Sequence, residues 1–264
     1  MASGLHKQPL KQWVIALLTG FILCGNSYGS DVHVAIIIDD LGHNLKRGEA
    51  FINLAEPITF AVLPHTSYAK SIATAAHRAN KEVMVHLPMA NLANTPIGPG
   101  GLTANLPRVD FMTALDAAIA GVPFASGINN HTGSYLTQQT QQMGWLMGDM
   151  KERGFFFIDS RTTAKSVALK VAEQHHVIAS SRDIFLDNDR SASAIDAAFQ
   201  HMIDIAKRDG TAIAIGHPYP ETLRYLETAL PRLKAMGIEI VPTSTLIALQ
   251  QVKHQAALVA AAAD

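Results

Sequence analysis

From residue 32 onward, short apolar runs rich in β-branched residues alternate with longer segments of helical period. Val34-Ala35-Ile36-Ile37-Ile38 is apolar throughout, the pattern of a parallel strand buried on both faces. Comparable runs occur at 59–63, 82–86, 126–129, 154–158, 183–186, 211–215 and 238–241, and 176–179 reads as either a strand or a loop. Between them, helical periodicity covers 45–54, 68–79, 110–120, 137–153, 164–174, 192–208 and 220–236. Thr137 and Ser191 stand where helix starts are expected, and Gly154, Gly210 and Gly237 follow helical patterns. Repeated strand-helix alternation predicts a parallel sheet with right-handed crossovers. Seven or eight units predict an α/β fold closed, or nearly closed, into a (β/α) barrel. A doubly wound sheet is the alternative, but Asp39-Asp40-Leu41-Gly42, not a glycine-rich phosphate loop, follows the first strand. The aperiodic stretch from Asn91 to Pro107 reads as a long loop over one end of the barrel.

The first 29 residues follow another pattern. Lys7 and Lys11 precede an uncharged apolar run from Trp13 to Gly25, and Ser27-Tyr28-Gly29 supplies the small residues of a cleavage site. This predicts an export signal cut after Gly29, with the mature chain in the periplasm. The run is shorter than the ~20 residues of a spanning helix, so a retained anchor is the second reading. Leu23 before Cys24 argues against a lipidated cysteine. The barrel is expected over 30–250, followed by an Ala-rich tail at 251–264.

The chain has 264 residues with 48% hydrophobic and 16% charged residues, which excludes disorder as its main state. Lys and Arg number 21 against 22 Asp and Glu; removing Lys7 and Lys11 leaves 19 basic residues, a net charge of −3. Nothing in that balance favours a nucleic-acid partner. The single cysteine, Cys24, falls inside the signal, so neither a disulfide nor a thiolate metal site is expected. No second long apolar stretch predicts a membrane span.

Polar residues collect at the C-terminal ends of the predicted strands: Asp39-Asp40, His86, Asn129-Asn130-His131, Asp159-Ser160-Arg161, Asp187-Asn188-Asp189 and His217. In a parallel barrel these ends share one face, where such folds place their active sites. Carboxylates and imidazoles gathered there fit a divalent metal, and two imidazoles plus one carboxylate leave a position open for water. Each residue also has a plainer reading: the two aspartates as helix caps, His86 as a hydrogen-bonded core residue, His217 as part of a turn. His43 and His65 are weaker candidates for the rim, while His33, His77, His175, His176, His201 and His254 read as surface.

Six ordered motifs then carry a resemblance. They are Ala35-Ile36-Ile37-Ile38-Asp39-Asp40-Leu41-Gly42, His86-Leu87-Pro88-Met89, Asn129-Asn130-His131-Thr132-Gly133-Ser134, Phe157-Ile158-Asp159-Ser160-Arg161-Thr162-Thr163, Phe185-Leu186-Asp187-Asn188, and Ile215-Gly216-His217-Pro218-Tyr219-Pro220-Glu221-Thr222. Together, over roughly residues 31–250, they resemble the divergent polysaccharide deacetylase family of bacterial envelopes. The resemblance implies a distorted (β/α) barrel related to metal-dependent carbohydrate N-deacetylases, acting on an acetylated glycan or peptidoglycan fragment with one divalent metal, zinc foremost. It assigns Asp39 as general base, Asp40 and His86 as metal ligands and His217 as the late catalytic histidine. The second metal histidine of those deacetylases corresponds to Ala90 here, and His131 takes its place. Asp159, Arg161 and Asp187, near the same mouth, are expected to orient the histidines or bind substrate. The Arg-x-Pro-Tyr and Asp-Trp motifs of the deacetylases are absent from this sequence. A non-catalytic metal- and glycan-binding barrel is therefore the second reading, and a phosphoesterase barrel the third, since few basic residues stand at the mouth.

Overall fold

The computed structural model describes residues 32–261. The export segment at 1–29 and the last three residues of the tail lie outside the described residues. The strands are β1 (Val32–Leu41), β2 (Thr59–Val62), β3 (Glu82–Met89), β4 (Ala125–Thr132), β5 (Phe156–Asp159), β6 (Ala179–Ser181), β7 (Ile184–Phe185), β8 (Thr211–Gly216) and β9 (Ile238–Ile240). Their spatial order is β6-β5-β4-β3-β2-β1-β8-β7, all parallel. β9 pairs with Val32–Val34 of β1, below the point where β2 joins at Ile37. The helices are α1 (Leu45–Ile52), α2 (Ala69–Arg78), α3 (Arg108–Gly121), α4 (Thr140–Arg153), α5 (Ala168–Gln174), α6 (Ala192–Asp209), α7 (Pro220–Ala235) and α8 (Thr243–Ala261).

β6 and β7 stand at opposite ends of the sheet order, yet only Arg182 and Asp183 separate them in the chain. Three extended steps reach at most about 11 Å. The sheet must therefore curl until its ends meet, giving a distorted barrel that stays open along one seam.

Side-chain alternation divides the core in two. Ala35, Ile37, Ala61, Met84, Phe156, Ile158, Ile213 and Ile215 point into the barrel and pack on one another. Their neighbours Val34, Ile36, Ile38, Phe60, Val62, Val85, Phe157 and Ala214 point outward into the layer shared with the helices. Both faces are apolar, so the strands read as continuous runs. Val241, Leu246 and Ile247, around the start of α8, fill the same interior cluster. Glu82, at the beginning of β3, accepts the Ser244 N–H at 3.1 Å and the Thr59 hydroxyl at 3.0 Å. A carboxylate at a helix N-terminus offsets the dipole there and fixes α8 under the strand starts.

Several boundaries differ from those the periodicity predicts. The segment at 137–153 begins as a 3₁₀ turn (Leu136–Gln138) and becomes α-helical only at Thr140. The helix predicted from 164 starts at Ala168, because the Thr163 and Ser166 hydroxyls accept the N–H groups of Lys165 and Ala168, both at 3.2 Å, and hold the backbone in turns. His33 is half-buried, its side chain 14% exposed and 3.6 Å from Glu239, rather than a surface residue. The 91–107 loop is tied to the barrel by Leu102, whose backbone bonds Pro88 and Ala90. Among the described residues no helix is long and apolar enough to cross a membrane.

After β1 the chain turns sharply at Gly42, whose φ is +127°. A Cβ there would lie 2.0 Å from Thr66 Oγ1 and 3.2 Å from the Leu63 carbonyl. Gly42→Ala is expected to destabilise the protein by about 2–4 kcal/mol, combining the positive-φ penalty with overpacking. A urea-unfolding midpoint indistinguishable from the parent's would contradict this.

Candidate metal centre and catalytic mouth

The inward alternation of the strands delivers the polar residues. Ala35 and Ile37 are followed on the same face by Asp39, Met84 by His86, Phe185 by Asp187, and Ile213 and Ile215 by His217. On β4 the same two-residue step runs through Gly127, Asn129 and His131. Each of these strands thus brings a polar group to the mouth.

Asp40 breaks the rule. In a regular strand it would face away from Asp39. The β1–β2 register shifts between Ile38 and Leu41, and Asp40 has a φ of 56°. This bulge turns the second carboxylate back to the mouth, and both aspartates lie beside His86: Asp39 Oδ1 is 3.7 Å from Nδ1, and Asp40 Oδ1 is 3.1 Å from Nε2.

Three donor atoms form a nearly equilateral triangle. Asp40 Oδ1 is 2.9 Å from His131 Nδ1 and 3.1 Å from His86 Nε2, and the two nitrogens are 3.0 Å apart. Donors held ~2.0 Å from a tetrahedral zinc stand about 3.3 Å apart, so the triangle fits one cation. Asp40 Oδ1 is buried against the two imidazole nitrogens, as expected of atoms arranged to share a cation. His86 is 2% exposed, whereas the side chains of Asp40 and His131 are 33% and 26% exposed, so the group opens toward the mouth.

Asn129 sets the chemistry of this triangle. Its Nδ2 donates to Asp39 Oδ1 at 2.7 Å, so its Oδ1 must face His86 Nδ1, also at 2.7 Å. A carbonyl oxygen only accepts, so His86 keeps a proton on Nδ1, and in the neutral imidazole Nε2 is the nitrogen whose lone pair can meet a metal. The sequence reading gives Asn129 no role. Its place two residues before His131, on the inward face of β4, is the signal that would have found it.

Electrostatics point the same way. Burial disfavours a charged His86, but the Asp39 and Asp40 charges and the Asp40 hydrogen bond outweigh it and push the imidazole up to about 9. Burial would also raise Asp40, yet the hydrogen bonds and charges of His131 and His86 hold it well below the usual carboxylate range. Asp39 is raised by burial, opposed by His86, His217 and the Asn129 hydrogen bond. Two carboxylates beside two imidazoles, with little water around them, could hold a cation.

His217 forms a second unit. Its Nδ1 lies 2.7 Å from Asp187 Oδ1, while Asp187 Oδ2 accepts the His217 N–H and the Thr222 hydroxyl, both at 2.6 Å. Asp187 is fully enclosed and fixes the imidazole's orientation. Burial would lower the His217 pKa, but the Asp187 hydrogen bond and charge raise it above the ordinary histidine value.

Asp159 and Arg161 join neither unit. Asp159, buried at the end of β5, accepts the Arg161 N–H on its Oδ1 at 2.8 Å. Arg161, at φ 48°, is exposed at that turn, and no hydrogen bond or ion pair links either residue to the aspartates and histidines above. Arg182, not singled out by sequence, clamps the open seam by donating to the carbonyls of Ser160 at 2.8 Å and Arg161 at 3.2 Å.

Comparison with known proteins agrees with this architecture. YibQ of Escherichia coli (strain K12) is 34% identical over 219 residues, covering 83% of this chain and 68% of its own. A crystal structure of a protein from Agrobacterium tumefaciens C58 has a TM-score of 0.78 at 23% identity, covering 81% of this chain and 89% of that one. A CE4 family pseudoenzyme from Bacillus anthracis shares the fold with a TM-score of 0.53 at 13% identity, over 83% of this chain and 66% of its own. Residues 36–247, which hold every strand end described above, match the family described as divergent polysaccharide deacetylase, and the chain belongs to that family.

Proposed function

We propose that the protein is a metal-dependent hydrolase that removes the acetyl group from an N-acetylated sugar of an envelope polysaccharide or peptidoglycan. The observation that carries this reading is the triangle of Asp40, His86 and His131 donors, 2.9–3.1 Å on a side, with a buried Asp39 beside it. Two imidazoles and one carboxylate suit zinc with a position left open. When bound, the cation polarises the acyl carbonyl and lowers the pKa of a water to ~7.

The remaining steps belong to the chain. Asp39, held by Asn129 and given no ligand bond, takes the proton of the attacking water; its raised pKa brings a carboxylate closer to the range a base needs. A C–O bond forms and the amide C–N bond breaks. His217, oriented by Asp187, gives its proton to the departing amine, so the products are acetate and a free amino sugar. We place the reaction outside the cytoplasm, on the strength of Lys7, Lys11 and the apolar run at 13–25.

Acetate release from acetylated amino-sugar oligomers and peptidoglycan fragments, with zinc, cobalt or nickel added, tests the reading. Metal analysis of parent and His131→Ala accompanies it: the parent is expected to hold one metal and the variant to lose it. A parent that purifies without metal, and gains neither metal nor activity on addition, overturns the proposal.

A pH profile checks the acid. A histidine with a raised pKa stays protonated above ~6.5 and loses that proton only as the pH passes its raised value. The alkaline limb of kcat/KM is therefore expected above the ordinary imidazole range. Asp187→Asn removes the charge that raises it and shifts that limb to lower pH; an unmoved limb would exclude His217 as its source.

A further inference from the structure

Beside the donor triangle, the mouth opens into a cleft of about 150 Å³ lined in part by Asp40, Arg47, His217 and Tyr219. Arg47 reaches it from α1. Arg190 lies over the Tyr219 ring, with its guanidinium carbon 4.9 Å from the ring centroid. The same ring stands 5.7 Å from the His217 imidazole. Tyr219 is thus a spacer between the proton donor and a cation.

Neither guanidinium has a protein anion to pair with. Asp187 is occupied by His217 and Thr222, and Asp189 accepts the Ser191 N–H. Glu221 lies 3.9 Å from Arg224, and Asp40 lies between two imidazoles. No carboxylate comes within ion-pair distance of Arg47 or Arg190 among the described residues. Both arginines nevertheless act electrostatically on the Tyr219 hydroxyl, so their charges bear on one place. The chain after residue 29 is net acidic, so a polyanion gains nothing from the overall field; these two side chains are a local exception. A guanidinium fork matches carboxylate and phosphate geometry, and pairing across it is charge-assisted.

We propose that Arg47 and Arg190, set around Tyr219, form an anion subsite, and that the acetylated sugar bound at the mouth carries a carboxylate or phosphate on the same or the adjoining sugar ring. This rests on the glycan reading above and deepens it: one aromatic ring separates the cation from His217, so the negative group must lie close to the acetamido group.

Calorimetric binding of three short oligosaccharides of equal length tests it. One is neutral N-acetylglucosamine, one carries a carboxylate ether beside the acetamido group, and one carries a phosphate ester. Zinc-loaded parent is expected to bind one of the anionic sugars about tenfold more tightly than the neutral one, with the advantage shrinking in high salt. Which anion gains identifies the source. Arg47→Gln and Arg190→Gln, both at exposed positions, are each expected to remove most of that advantage and leave neutral-sugar affinity unchanged. Equal binding of all three sugars overturns the subsite, as does an advantage that survives both substitutions or no binding at all. Acetate release is not read here. A charge-selective but inert protein would uphold the subsite and refute the hydrolase, while turnover indifferent to charge and to both arginines would do the reverse.

Discussion

Asn in place of Asp39 leaves the metal content and thermal midpoint close to those of the parent and lowers acetate release by ~10²–10⁴, the usual contribution of acid-base catalysis. The substitution is nearly isosteric, and the side chain at 39 keeps an oxygen that can accept from Asn129 Nδ2, as Asp39 does at 2.7 Å. What disappears is the capacity to take a proton. His86, Asp40 and His131 keep their own donor atoms, so the cation stays. Rates on the metal-saturated protein, with bound metal measured on the same sample, check this. Should the parent bind acetylated glycans and release no acetate, with Asp39→Asn binding equally well, the protein is a binding module and not a hydrolase.

Metal affinity is expected to rise about tenfold per pH unit across the neutral range, levelling off near pH 9. His86 Nε2 must lose a proton before it can ligate, and its neighbours hold that proton up to about 9. Below that value each metal bound releases one proton, so alkalinity favours the metal and acid expels it. Asp40→Asn is the companion variant, because Asn tolerates the left-handed backbone that Asp40 adopts at φ 56°. It removes the carboxylate charge, so affinity is expected to fall sharply, and the metal-free fold loses the stability that the ionised Asp40 gains beside His131 and His86. Competition with a chromophoric chelator, at several pH values, measures both effects. An affinity that does not change with pH would show that His86 is not a ligand.

The barrel and much of its mouth were legible in the sequence, because alternation alone fixes which residues share a face. His86 and His217 follow the inward apolar residues Met84 and Ile215 by two, His131 follows Asn129 by two, and the fold carries them where that count puts them. Asp40 was legible as a residue but not as a direction. Its return to the mouth depends on a register slip against β2, a property of two strands and not of one. Asn129 was hidden for a related reason: its amide takes its meaning from Asp39 and His86, 90 and 43 residues away. The short strands β6 and β7 carry three and two residues, too few for a pattern to declare itself.

The sheet order has a consequence for how the chain comes to be folded. β1 is made first, yet from His33 to Ile38 its neighbour on one side is β8, completed some 175 residues later. Until Thr211–Gly216 has emerged, that edge of an apolar strand stays open, a template for pairing with another chain. Order of synthesis and order of assembly therefore oppose each other. Truncation anywhere before residue 211 is not a smaller version of this protein; it leaves the central strand unpaired on one side and removes His217 with it. Such fragments are expected to aggregate, and one that remained monomeric and cooperatively folded would break this link between topology and folding.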